Sequence, residues 1–192
     1  MKTLLQIQSK YKFKTDKNSY HDYFKTYDKL FLKYKYEKIN ILEIGIWHGE
    51  SLKLWRKYFP NAEIYGVDIF TRASEKKVRD NLNGFDVHIK KVNTCTETPE
   101  ELEQRNKFFQ SLGGNLFDII IDDGSHKVIH QINTFKNFRK LLSTDGMYIC
   151  EDIYDGNLKH FQKSVKGFEY ITNQKIANNT LGIYRKKDNE TN

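Results

Sequence analysis

Apolar positions along this chain follow two rhythms that take turns. Short runs rich in Ile, Val, Tyr and Phe at 39–46, 63–69, 86–92, 117–122, 146–152, 168–176 and 181–186 read as strands. Between them, 51–58, 74–82, 99–112, 127–142 and 158–165 carry helical spacing. Strand and helix in alternation imply parallel strands joined by crossover helices, so the pattern predicts an α/β sandwich of three layers around a seven-stranded, mostly parallel sheet. Local signals agree: Thr98 can cap a helix that has Pro99 at its first position, and Gly113-Gly114 can end it. The last two strands break the alternation. Only 177–180, with Asn178-Asn179 at its centre, separates them, which is too short for a crossover and predicts an antiparallel hairpin at a sheet edge.

Ahead of the first strand, residues 1–36 carry Tyr11, Phe13, Tyr20, Tyr23, Phe24, Tyr27, Phe31, Tyr34 and Tyr36 among many lysines. This segment predicts one or two amphipathic helices, either packed on the sheet or closing over it as a lid. Residues 37–187 are then the main domain and 188–192 a frayed tail. A length of 192 residues suits one core. With 38% hydrophobic but 14% aromatic residues, Phe and Tyr must supply much of the buried area.

The formal charge of +7 permits attraction to nucleic acid or anionic surfaces, but the lysines are scattered and no nucleic-acid-binding module accompanies them. A solvated basic surface with no nucleic-acid partner is expected. Cys95 and Cys150 are far apart, so neither a zinc knuckle nor a disulfide framework is predicted, and a reducing compartment follows. The N-terminus lacks the apolar run of a signal peptide and no stretch is long enough to span a membrane, so the expectation is a soluble cytoplasmic protein.

Candidate chemistry begins where the first strand ends. Ile39-Asn40-Ile41-Leu42-Glu43-Ile44-Gly45-Ile46-Trp47-His48-Gly49 is a buried strand running into a glycine-bearing turn, with Ser51 and a helix following. Gly45 and Gly49 would let backbone approach a ligand, and the open N–H groups at the helix start favour electron-rich groups. Glu43 suits the cationic end of an aminoacyl sulfonium better than a pyrophosphate. The next strand ends in Asp68, about twenty residues past the glycines, where a carboxylate can accept ribose hydroxyls. The alternative is an ordinary strand-to-helix turn.

A second signal is Ile119-Ile120-Ile121-Asp122-Asp123-Gly124-Ser125-His126, which puts two acids at the carboxyl end of the fourth strand. The fifth strand ends in Glu151-Asp152 at the same edge, and open α/β sheets bind ligands there. Carboxylates gathered in this way need a cation, and hard oxygen donors favour Mg²⁺, or Mn²⁺ or Ca²⁺, over zinc. His126 could reach a substrate on that cation, while His130 is a packing or hydrogen-bonding residue. The plainer alternative is that 122–125 caps the following helix and Glu151-Asp152 begins a loop.

Glu43, Gly45, Gly49 and Asp68 resemble the first two motifs of class I S-adenosylmethionine methyltransferases, whose sheet is Rossmann-like, and no G-x-G-x-x-G dinucleotide fingerprint is present. That resemblance implies that Ser51 lies in the cofactor turn, that Asn93 and Thr94 lie against the adenine, and that Asp122 borders the cofactor. The Asp122-Asp123-Gly124-Ser125-His126 run with Glu151-Asp152 resembles metal-dependent sugar O-methyltransferases of the mycinamicin type, with cephalosporin hydroxylase-like relatives. By this likeness Asp123, Glu151 and Asp152 hold the metal and His126 is the general base. Lys14-Thr15-Asp16-Lys17, followed by His21 and Tyr23, resembles the family's cofactor-covering stretch, which places Lys17 among cofactor-binding residues. The implied cofactors are S-adenosylmethionine and Mg²⁺, and the implied partner is a small-molecule acceptor such as a sugar or glycoconjugate, in a monomer or homo-oligomer. A metal-independent small-molecule methyltransferase and a non-catalytic nucleotide-binding protein of the same fold remain alternatives.

Overall fold

The computed structural model describes residues 2–19, 22–176 and 178–186; the tail expected at 188–192 and His21 lie outside the described residues. Among the described residues seven strands form one sheet: β1 (Asn40–Ile44), β2 (Glu63–Asp68), β3 (His88–Lys91), β4 (Phe117–Asp122), β5 (Leu142–Tyr154), β6 (Phe168–Ile176) and β7 (Asn179–Lys186). Their order is β3-β2-β1-β4-β5-β7-β6. The pairs among the first five strands are parallel, and β7 lies antiparallel between β5 and β6. The terminal hairpin is therefore present, and β6 forms the edge.

Side chains alternate across this sheet with the period of two that a pleated strand imposes. Ile41, Ile119, Ile121, Ile149 and Ile183 bury on one face. Leu42, Ile44, Ile120, Tyr148 and Cys150 bury on the other. The first face is covered by α1 (Leu4–Tyr11), α3 (Phe24–Phe31), α4 (Glu50–Tyr58) and α5 (Glu75–Asn81). The second is covered by α6 (Pro99–Ser111), α7 (Val128–Phe138) and α8 (Leu158–Ser164). Thr98 and Glu101 make a reciprocal capping box, with Pro99 beginning α6.

The N-terminal segment folds as α1, the short α2 (Asp16–Ser19) and α3, and it is part of the first-face core. Tyr27 and Phe31, four residues apart, stack at 4.9 Å, and both meet the Trp55 ring edge-on at 5.6 and 5.9 Å. All three side chains are fully buried, and each contributes about 1.5–3 kcal/mol by leaving water. The helix expected at 127–142 stops at Phe138; a single 3₁₀ turn, Arg139–Leu141, follows, and Leu142 already pairs with Phe117. The polar Ser143, Thr144 and Asp145 mask the start of β5 in the sequence pattern. Among the described residues no helix is long and apolar enough to cross a membrane.

The register fixes where chemistry can occur. Ile44 pairs with Asp122, and Asp122 with Cys150, so the carboxyl ends of β1, β4 and β5 lie side by side.

Candidate functional site

Parity decides which acids meet. Glu43 shares the face of Ile41, Asp123 that of Ile119 and Ile121, and Glu151 that of Ile149, so all three point under the N-terminal segment. Lys17 descends among them, almost completely buried. Its Nζ lies 2.6 Å from Asp123 Oδ2, 2.8 Å from Glu151 Oε1 and 3.2 Å from Glu43 Oε1. Burial by itself would lower the Lys17 pKa, but Asp123, Glu151 and Glu43 outweigh it and raise it well above the usual lysine value. Asp123 is likewise opposed by burial, yet Lys17 and His126 hold its carboxyl below the ordinary value.

Two tyrosines of the N-terminal segment complete the contacts. The Tyr27 hydroxyl donates to Glu151 Oε1 at 2.5 Å, and the Tyr23 hydroxyl donates to Asp152 Oδ1 at 2.6 Å. Glu43 Oε2 accepts from Ser51 Oγ at 2.7 Å and from Trp55 Nε1 at 3.1 Å. Burial, ahead of every other cause, raises the pKa of Glu43, and burial followed by the Asp123 charge raises that of Glu151 well above the carboxylate range.

On the solvent side, His126 Nε2 stands 3.6 Å from both Asp123 Oδ1 and Asp152 Oδ2, and the ring is half exposed. One donor atom from each of Asp123, His126 and Asp152 lies within 4.8 Å of the others, a spacing a cation could bridge. Glu151 is not in that group; its Oε1 is taken by Lys17 and Tyr27. Asp152 holds a left-handed φ of 54°, a costly conformation for a non-glycine residue that a surrounding site must sustain. The Asp123 hydrogen bond is the main cause of a raised His126 pKa.

Several candidate cofactor residues are engaged within the protein. Gly45, at φ 82°, is open to neither cofactor nor solvent on its Cα–H side: a Cβ there would collide with the Asp123 carbonyl oxygen and Gly124 Cα, so its smallness brings the β1 and β4 loops together. Gly49, at φ 80°, packs against Leu82. Asp68 Oδ2 accepts from the Ile46 and Trp47 N–H groups at 2.9 and 3.1 Å, and Oδ1 accepts from Phe70 N–H at 2.6 Å, so it shapes the glycine turn. Asn93 organises its own loop, donating to Glu101 at 2.6 Å and accepting from the Cys95 and Thr96 N–H groups. Thr94 bonds Thr134 at 3.0 Å. Asp122 is turned to the opposite face, where it accepts from the Tyr148 hydroxyl at 2.8 Å and the Gly124 N–H at 3.3 Å. His130 bonds Ser125 at 2.8 Å and stands apart from the acids.

Next to the β3 loop lies an open cavity of about 550 Å³ whose lining includes Cys95, Thr96, Ile129, His130, Asn133 and Lys136. Its size is in the range of small-molecule sites. Sequence reasoning named Tyr23 only within the cofactor-covering stretch and Tyr27 only among the aromatics of an amphipathic segment; neither was assigned a contact with the acids, because amphipathic spacing marks a helix face but not what that face touches.

No protein-family model matches the chain. Over 135 residues it is 29% identical to mycinamicin VI 2''-O-methyltransferase of Micromonospora griseorubida, a match covering 67% of this chain and 30% of that protein. Over 137 residues it is 31% identical to L-olivosyl-oleandolide 3-O-methyltransferase of Streptomyces antibioticus, covering 67% of this chain and 31% of that protein. The matched stretch thus spans about a third of the length of these curated relatives. Among solved structures, the MycE methyltransferase of the mycinamycin pathway in complex with Mg and SAH superposes with a TM-score of 0.72 at 22% identity, covering 100% of this chain and 56% of that one. The chain has the class I methyltransferase fold, and its homologues are sugar O-methyltransferases.

Proposed function

We propose that this chain is an S-adenosylmethionine-dependent O-methyltransferase acting on a metal-held hydroxyl of a sugar or glycoconjugate. The observation that carries the proposal is the Asp123, His126 and Asp152 group at adjacent carboxyl ends of a methyltransferase sheet. Homologues named for sugar O-methylation, and a fold neighbour crystallised with Mg and SAH, support it.

The residues fit a divalent cation. Asp123 and Asp152 bring carboxylate oxygens, beside the His126 ring, to within 4.8 Å of one another, and hard oxygen donors at that spacing suit Mg²⁺. Asp123 and Asp152 would hold the cation, with Glu151 as a third carboxylate whose Oε2 is its remaining donor. A bound Mg²⁺ would supply Lewis acidity that lowers the pKa of an acceptor hydroxyl. S-adenosylmethionine, which residues at the carboxyl ends of β1 and β2 would hold, would supply an electrophilic methyl group.

The chain's own residues do the remaining work. His126 Nε2 takes the hydroxyl proton as the oxygen attacks, which it can do only when neutral. Asp123 and Asp152, on either side of that nitrogen, orient the ring and stabilise the imidazolium that results. Tyr23 anchors the Asp152 carboxylate, and the Gly45 contact holds the Asp123 loop against β1. Position and alignment of the reactants supply the rest of the rate.

Calorimetry with S-adenosylmethionine, with and without Mg²⁺, followed by a mass-shift screen of nucleotide sugars and glycosides, tests the proposal. His126→Ala is expected to lose about 10²- to 10⁴-fold in methyl transfer while keeping cofactor affinity. Full transfer by this variant, with chemistry rate-limiting, would remove His126 as the base.

A further inference from the structure

The Lys17 ammonium sits where a metal ion would be unremarkable. Three carboxylate oxygens, from Asp123, Glu151 and Glu43, converge on it at 2.6 to 3.2 Å, and the residues bearing two of them are wholly buried. Among the described residues Glu43 Oε1 has no hydrogen-bond partner, and it faces the Lys17 charge. The other two Lys17 partners each have a second role. Asp123 presents Oδ2 to Lys17 and Oδ1 toward His126, and Glu151 presents Oε1 to both Lys17 and Tyr27. Asp123 therefore bridges two cation positions: an inner one filled by Lys17, and an outer one bounded by His126 and Asp152. A shared carboxylate between neighbouring sites is how two-ion centres are built.

We infer that Lys17 is a built-in replacement for a second divalent ion, and that it restricts the carboxylate cluster to one exchangeable metal. A lysine ammonium is compact and carries three donors, which matches the three oxygens, and unlike a free ion it cannot be lost to solvent. Its tether is the N-terminal segment, so the inner charge is present only when that segment is folded onto the sheet. The outer position remains open to exchange. This inference rests on the proposed metal site for its outer position and on the observed ion pairs for its inner one.

The test is Mn²⁺ titration followed by electron paramagnetic resonance, comparing the intact chain, Lys17→Ala and Lys17→Arg. The expected result is one Mn²⁺ per intact chain, two per Lys17→Ala chain, and one for Lys17→Arg, whose guanidinium keeps the charge. The first ion to bind, which meets no neighbouring positive charge while the other position is empty, should also bind more tightly than the single ion of the intact chain, by roughly tenfold or more. One ion of unchanged affinity in Lys17→Ala would overturn the inference while leaving the metal-dependent reading intact. No ion in the intact chain but one in Lys17→Ala would support the replacement of an inner ion by Lys17 and overturn both the outer metal site and the restriction to one exchangeable metal. No ion in either would defeat both. Should Lys17→Ala be unfolded in chelator, circular dichroism during Mn²⁺ addition decides: recovery of the fold supports the replacement, and a chain that stays unfolded in excess Mn²⁺ refutes it.

Discussion

Asp122 and Asp123 follow one another at the end of β4, and the pleat sends them to opposite faces of the sheet. Asp123 enters the face under the N-terminal segment, where Lys17 and His126 hold its pKa down against burial. Asp122 enters the face under α6, α7 and α8, where among the described residues no lysine or arginine is in ion-pair range. Its partners are the Tyr148 hydroxyl and the Gly124 N–H. Burial wins there and pushes the Asp122 carboxyl up to about 7. The same side chain, one residue apart, is a fixed anion on one face and a group ready to be neutral on the other. Counter-charge, not depth, makes the difference.

The largest break of this contrast is to remove the counter-charge. Lys17→Met strands three carboxylates in a dry pocket, and a loss of about 3–5 kcal/mol in chelator is expected by urea unfolding. A loss under about 1 kcal/mol would mean that the ion pairs do not hold this face together.

Asp122→Asn tests the opposite face. In the unfolded chain an Asp titrates near 3.8, whereas Asp122 in the fold titrates near 7. Between these values the folded state keeps a proton that the unfolded state has released, so stability falls as pH rises through the window and levels off above it. The substitution removes this penalty, and a gain on the order of 2–4 kcal/mol at pH 8, with little change below the window, is expected in thermal melts. Equal pH slopes for variant and parent would show that Asp122 is ionised in the fold.

The smallest effect concerns the tyrosines that serve each face. Tyr27→Phe leaves Glu151 Oε1 with Lys17 alone and should cost about 1–2 kcal/mol. Tyr148→Phe removes a donor that steadies the Asp122 anion, so it should move the pH window of the parent protein upward rather than remove it. A downward move would contradict the direction of that hydrogen bond.

Much of this was legible in the chain itself. The alternation of β-rich runs with helical stretches, the Thr98-Pro99 cap and the short 177–180 connection specify the sheet and its terminal hairpin through local propensity and loop length. That the acids of β4 and β5 end at one edge follows from parallel strands in register, whereas the expected metal set of Asp123, Glu151 and Asp152 differs from the group the fold brings together, Asp123, His126 and Asp152. The period of two also separates Asp122 from Asp123 in the sequence itself, since Ile119 and Ile121 share the parity of Asp123. The start of β5 was hidden because Ser143, Thr144 and Asp145 have turn chemistry, and pairing with β4 overrides it.

By itself, then, the sequence determined the order of elements, the edge at which acids collect and the residue types able to hold a cation or move a proton, because these follow from periodicity and covalent spacing. Only the tertiary structure decided that Lys17, 106 residues before Asp123, is the cation of the inner pocket, that Tyr23 and Tyr27 donate to the acids, and that Asp68 and Asn93 are bonded to their own turns. The Lys17, Tyr23 and Tyr27 contacts depend on packing an aromatic N-terminal segment onto one face of the sheet. Contacts of that kind come from three-dimensional fit between distant parts of the chain, for which no local pattern codes.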